Sequence, residues 1–93
     1  MKKIKIDGYT YDVETAPELE IDGDRVDGWS SREKQLIKLD ADLHPEKWEQ
    51  ALLHEVLHMC LEEEGFEKQS FNETLVDRLA TRLYQVLKDN YPF

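Results

Sequence analysis

Apolar and polar positions alternate at the start of this chain: Ile4 and Ile6 alternate with Lys3 and Lys5, and polar residues separate Tyr9, Tyr11 and Val13. A period of two predicts strands with one apolar face. Asp7-Gly8 is a two-residue hairpin signal that pairs Ile6 with Tyr9 and Ile4 with Tyr11. From Ala16-Pro17 to Gly28 the chain turns acidic, with Gly23 and Gly28 marking turns and only Leu19, Ile21 and Val26 as anchors. Trp29 to Ser31 and Gln35-Leu36-Ile37-Lys38-Leu39 then read as a second pair of strands around the charged turn Arg32-Glu33-Lys34.

Beyond residue 44 the period changes. Pro45 suits the first turn of a helix that runs through Trp48, Leu52 and Cys60 until Gly65 stops it. At about 100° per residue, Trp48, Leu52, Leu53, Val56, Leu57, Met59 and Cys60 cover a broad apolar arc. Ala51, His54, Glu55 and His58 take the remaining side. A second helix is predicted from near Ser70 to about Asp89, with Phe71, Leu75, Leu79, Leu83 and Val86 as its packing stripe. Glu73, Asp77, Ala80 and Tyr84 line up on another face. With no repeat, low-complexity tract or dividing linker, residues 1–93 read as a single α+β domain. It comprises a small mixed or antiparallel sheet followed by two helices.

The chemistry sits on the first helix. His54-Glu55-Val56-Leu57-His58 has the H-E-x-x-H form, in which two imidazoles one turn apart point at one ion with a carboxylate beside them. Histidines on a nearly buried helix need polar partners, and a metal satisfies both at once. Catalytic zinc takes three protein ligands and a water, and His-His-Glu is a recurring set, so Glu73 is the candidate third ligand beside His54 and His58. Glu55 is the candidate general base for a zinc-activated water.

Charge and composition narrow the setting. Against 12 basic residues there are 21 acidic ones, for a net charge of −9, which disfavours nucleic acid and anionic membrane as partners. The amino-terminal Met-Lys-Lys leads into Ile4-Lys5-Ile6-Asp7, with neither a secretory apolar core nor a spanning segment. Cytoplasmic residence is the expectation, and a single cysteine, Cys60, agrees with a reducing compartment.

His54-Glu55-x-x-His58 followed by Asn72-Glu73-x-x-x-Asp77 resembles the gluzincin metallopeptidase signature. The stretch from Gln35 to Cys60 is similar to small phage-encoded zincin-like proteins and, more distantly, to the ImmA/IrrE-type peptidases. The resemblance implies a zinc ion with His54, His58 and Glu73 as ligands, Glu55 activating its bound water, and Asp77 steadying His54. It also implies that Gln35, Leu36, Ile37, Lys38 and Leu39 form an edge strand for an extended peptide substrate. The expected activity is therefore that of a zinc-dependent hydrolase of the metallopeptidase class.

Plainer roles stand beside these. Ser70-x-x-Glu73 also fits a capping box, Asp77 fits a surface pair with Arg78 or Arg82, and Glu62, Glu63, Glu64 and Glu67, which compete as third ligands, crowd a helix end and read instead as a solvated acidic run. His44 before Pro45 reads as a cap or surface residue, Cys60 as a small buried hydrophobe, and Tyr84 as an ordinary core or surface tyrosine. The alternatives for the whole chain are a zinc-stabilised regulatory or binding protein without efficient catalysis, and an acidic interaction protein that mimics DNA.

Overall fold

The computed structural model describes residues 2–91 and is an α+β fold. Strands β1 (Lys2–Ile6) and β2 (Tyr9–Ala16) form the expected hairpin, with Ile6 opposite Tyr9 and Ile4 opposite Tyr11. Asp7 and Gly8 both have positive φ, 51° and 82°, as a turn matched to the strand twist requires. The acidic segment then makes a small ribbon, β3 (Glu20–Ile21) with β4 (Asp24–Arg25), around a similar Asp22-Gly23 turn. Strands β5 (Gly28–Ser31) and β6 (Leu36–Asp40) form the second hairpin.

The main sheet runs β1-β2-β6-β5, with β6 parallel to β2 and antiparallel to β5. A parallel pair needs a long connection, which residues 17–35 supply. One sequence expectation is corrected here. Leu36, Ile37, Lys38 and Leu39 lie on an internal strand paired on both sides, so their backbone is not open to a peptide. Gln35 precedes the strand, and its carbonyl accepts the Asp12 N–H at 3.0 Å. The open edge near the helices belongs to β5. Alternation within Gln35–Leu39 could not reveal this, because the β2 partner is more than twenty residues away in sequence.

The core lies between this sheet and helix α1 (Pro45–Glu63). Ile6, Tyr11, Val13, Ile37, Leu39 and Met59 are buried together, and Trp48, Ala51, Leu52, Val56 and Cys60 pack against them. His44 caps the helix, its Nδ1 accepting the Glu46 N–H, and Gly65 at φ 84° ends the segment, both as the sequence predicts. The expected second helix begins a few residues later than the sequence suggests: a single turn, α2 (Glu67–Ser70), precedes it, and α3 (Glu73–Asn90) starts after Asn72, whose side chain accepts the Leu75 N–H.

Helix α3 rests on α1 through Val76 and Ala80, both buried. The stripe predicted to pack is largely outside: Phe71 is 77% exposed, and Leu75 and Leu79 are also exposed. Small Ala80 lets the helices approach closely, and polar ties from Gln50 to Thr81 and from Tyr84 to Glu49 hold that face inward. The face carrying Glu73 and Asp77 is thereby turned toward the two histidines.

Candidate metal centre

Helix periodicity puts His54 and His58 on one side of α1, and the restart at Asn72 brings Glu73 over them. The two Nε2 atoms are 3.1 Å apart. Glu73 Oε1 lies 2.7 Å from His58 Nε2, and its Oε2 lies 3.3 Å from His54 Nε2. Two nitrogens and a carboxylate with ligand atoms all within 4.8 Å of one another form a group that could hold a metal ion. Bonds of about 2.05 Å in tetrahedral directions place neighbouring ligand atoms about 3.3 Å apart; the short contacts to the two histidines come from different Glu73 oxygens, so a single oxygen reaches that spacing to both nitrogens only after a small shift of the side chains. The second ring nitrogens point away from this centre. His54 Nδ1 faces Asp77 Oδ1 at 3.6 Å, and His58 Nδ1 is 3.0 Å from Ser70 Oγ.

Among the alternatives for Glu73, the capping box fails on geometry, since Asn72 and not Ser70 is the helix cap. Asp77 lies against His54 as the resemblance implies, although 3.6 Å is longer than a hydrogen bond.

Glu55 faces the sheet side of the same cleft and is 8% exposed. The Ser30 hydroxyl on β5 donates to Glu55 Oε1 at 2.7 Å. Burial raises the Glu55 carboxyl above its ordinary value, while the Ser30 hydrogen bond opposes that shift. Gly28 makes room for this carboxylate: a Cβ there would come within 3.1 Å of Glu55 Cγ, Glu55 Oε2 and Leu39 Cδ2. The open cleft, about 970 Å³, is bounded by β5 residues Gly28, Trp29 and Ser30 and by His54, Glu55, His58, Glu73 and Asp77.

Sequence reasoning missed Ser30, Gly28 and Ser70. Each is a small residue whose importance depends on what the fold lays against it, and only the Ser70-x-x-Glu73 spacing drew attention to one of them. The acidic run also proves more engaged than a solvated face: Glu62 accepts from Ser70 at 2.7 Å, Glu63 accepts from the Tyr11 hydroxyl at 2.7 Å, and Glu67 pairs with Arg32. Burial and the Glu63 carboxylate both raise the Tyr11 phenol above its ordinary value. Tyr84 donates to Glu49 and so serves as a tie between α1 and α3. Burial pushes the Cys60 thiol up, and it packs against the core cluster as a small hydrophobe.

Comparison of the chain with protein-family models, with curated proteins and with solved structures gave no match. No helix among the described residues is long and apolar enough to cross a membrane.

Proposed function

We propose that the chain is a zinc-dependent metallopeptidase of minimal gluzincin type, with His54, His58 and Glu73 as ligands and Glu55 as general base. The observation that carries the reading is the convergence of both Nε2 atoms and the Glu73 carboxylate beside a buried glutamate that takes no part in the triad. A structural metal site would need no such base. Zinc is favoured by the mixed nitrogen and oxygen donors and the three-ligand count. When bound there it supplies Lewis acidity and lowers the pKa of a coordinated water to about 7.

The rest of the chemistry falls to the chain. Glu55 accepts the proton of the attacking water and later returns it to the leaving amine. Ser30 holds Glu55 Oε1 by its hydrogen bond, so the other oxygen is the one free to receive that proton. Strand β5, the sheet edge beside α1, offers backbone groups with which an extended peptide can pair. A net charge of −9 favours neutral or basic peptides over acidic ones.

Glu55→Gln tests the mechanism, because the amide keeps the shape but cannot take the proton. Zinc content by elemental analysis should be unchanged, while cleavage of any peptide selected from a broad library should fall by about 100-fold or more. Wild-type turnover by this variant would remove Glu55 from the mechanism. Failure of the zinc-loaded wild-type protein to cleave any member of the library would favour a metal-stabilised binding protein instead.

A further inference from the structure

The metal centre occupies the middle of a longer cleft, and charge is unevenly spread along it. Lys47, Ala51, His54, His58 and Glu62 all line that cleft, and steps of three or four residues put them on one face of α1. Glu62 stands at the carboxyl end of this row and Lys47 at the amino end. The other lining cation, Arg25, also lies toward the amino end, but the buried Asp40 carboxylate holds it at 3.1 Å and Asp42 lies at 3.8 Å. Asp27 borders this end too and is ion-paired to neither cation. Lys47 is exposed and makes no ion pair among the described residues. In a chain with 21 acidic side chains, a cation left unpaired on the cleft wall is available to an anion from outside.

Strand β5 and α1 run in the same direction along the cleft. Gly28 and Ser30 face Glu55, Arg32 just beyond β5 reaches Glu63 at 4.0 Å, and Arg25 just before β5 meets the residues that precede α1. An antiparallel partner is the more stable addition to a strand, and β6 already pairs with β5 in that sense. A peptide bound so on the free edge of β5 has its carboxyl-terminal part at the Lys47 end. Lys47 and His54 are seven residues apart, so at about 1.5 Å per helical residue and about 3.3 Å per extended residue the interval matches about three residues of peptide.

We propose that Lys47 is a specificity-determining residue that takes a carboxylate of the peptide substrate, about three residues beyond the scissile bond on its carboxyl-terminal side. The carboxylate belongs to an acidic side chain or to the end of the peptide. This rests on the metallopeptidase reading above and deepens it, because the net charge of the chain favours basic peptides and Lys47 makes a local exception.

Mercaptoacetyl-pentaalanine amides provide the probe: the thiolate takes the open position on zinc, and the residues counted from it run toward the carboxyl end. Asp, Asn or Lys is placed at each position in turn, and isothermal titration calorimetry measures binding to the zinc-loaded full chain. Asp at the third position, within one residue, should bind about two- to fivefold more tightly than Asn, as an exposed ion pair provides. Lys47→Gln should erase this preference and Lys47→Glu should reverse it in favour of Lys. A glutamate in the first turn of α1 suits the helix amino terminus, so the second variant folds. A tripeptide analogue with a free carboxyl end binding as tightly as the Asp peptide assigns the site to chain ends; weaker binding assigns it to acidic side chains.

A profile flat across the five positions, or one unchanged in Lys47→Glu, would overturn the subsite while zinc content and library cleavage still support the metallopeptidase. A Lys47-dependent profile in a protein that cleaves no library peptide would instead overturn the peptidase reading and leave the carboxylate subsite standing.

Discussion

Removing the Glu73 carboxylate separates a ligand from a helix-terminal charge, because the two roles respond differently to zinc. Glu73 is the first residue of α3, so its charge interacts favourably with the helix amino terminus by about 0.3–1 kcal/mol whether or not metal is present. For a domain of this size, about 1 kcal/mol corresponds to roughly 4–8 °C in Tm. The metal-free Glu73→Ala protein should therefore melt only a few degrees below metal-free wild type. Zinc at 100 times its Kd adds about 2.7 kcal/mol to the wild type, or a rise of about 10–20 °C. Orienting residues alone are worth up to about 100-fold in affinity, and a direct ligand at 2.7 and 3.3 Å from the histidines should cost at least that. At the same zinc concentration the variant would then be half-saturated and gain only about 0.4 kcal/mol, a shift of about 2–3 °C. Differential scanning calorimetry of both proteins, with and without zinc, measures the four values. Asn72→Ala is the control: losing the cap should cost about 0.5–2 kcal/mol equally in both states. If Glu73→Ala keeps the wild-type zinc increment, the carboxylate is not a ligand.

Two further outcomes are expected. Gly28→Ala places a methyl group 3.1 Å from the Glu55 side chain and should displace that carboxylate, lowering peptide turnover about 10- to 100-fold while zinc affinity holds; turnover equal to wild type would show that Glu55 does not need this space. Asp40 is held below its ordinary 3.8, first by the Asp42 N–H and then by the Arg25 guanidinium. Its folded value is the lower one, so its contribution to stability is fully present above the ordinary value and is lost as pH falls through the folded value. Urea midpoints between about pH 2 and 6 should show this loss in wild type and a flatter profile in Asp40→Asn, and identical slopes would count against it.

Local patterns were legible without a structure. The first hairpin register followed from alternation around Asp7-Gly8, because a two-residue turn with two positive φ angles leaves no freedom in pairing. The extent of α1 followed from Pro45 and Gly65, and the shared face of His54 and His58 followed from a rise of one turn per four residues. These are short-range constraints, set by backbone sterics and hydrogen bonds within a few residues.

What lay beyond the sequence was decided by contacts between distant segments. The alternating Leu36–Leu39 pattern is the same in an edge strand and an internal one, and only pairing with β2 made β6 internal and left β5 as the rim of the cleft. Periodicity identified an apolar stripe on α3 but not its direction, and the closer fit of Val76 and Ala80 to α1 turned Phe71, Leu75 and Leu79 outward. Gly28, Ser30 and Ser70 acquire their roles only where β5 and α2 meet α1, since a small side chain matters through the group packed against it. A sequence records the spacing of ligands along a helix; which oxygen meets which nitrogen depends on side-chain packing between elements that are far apart in the chain.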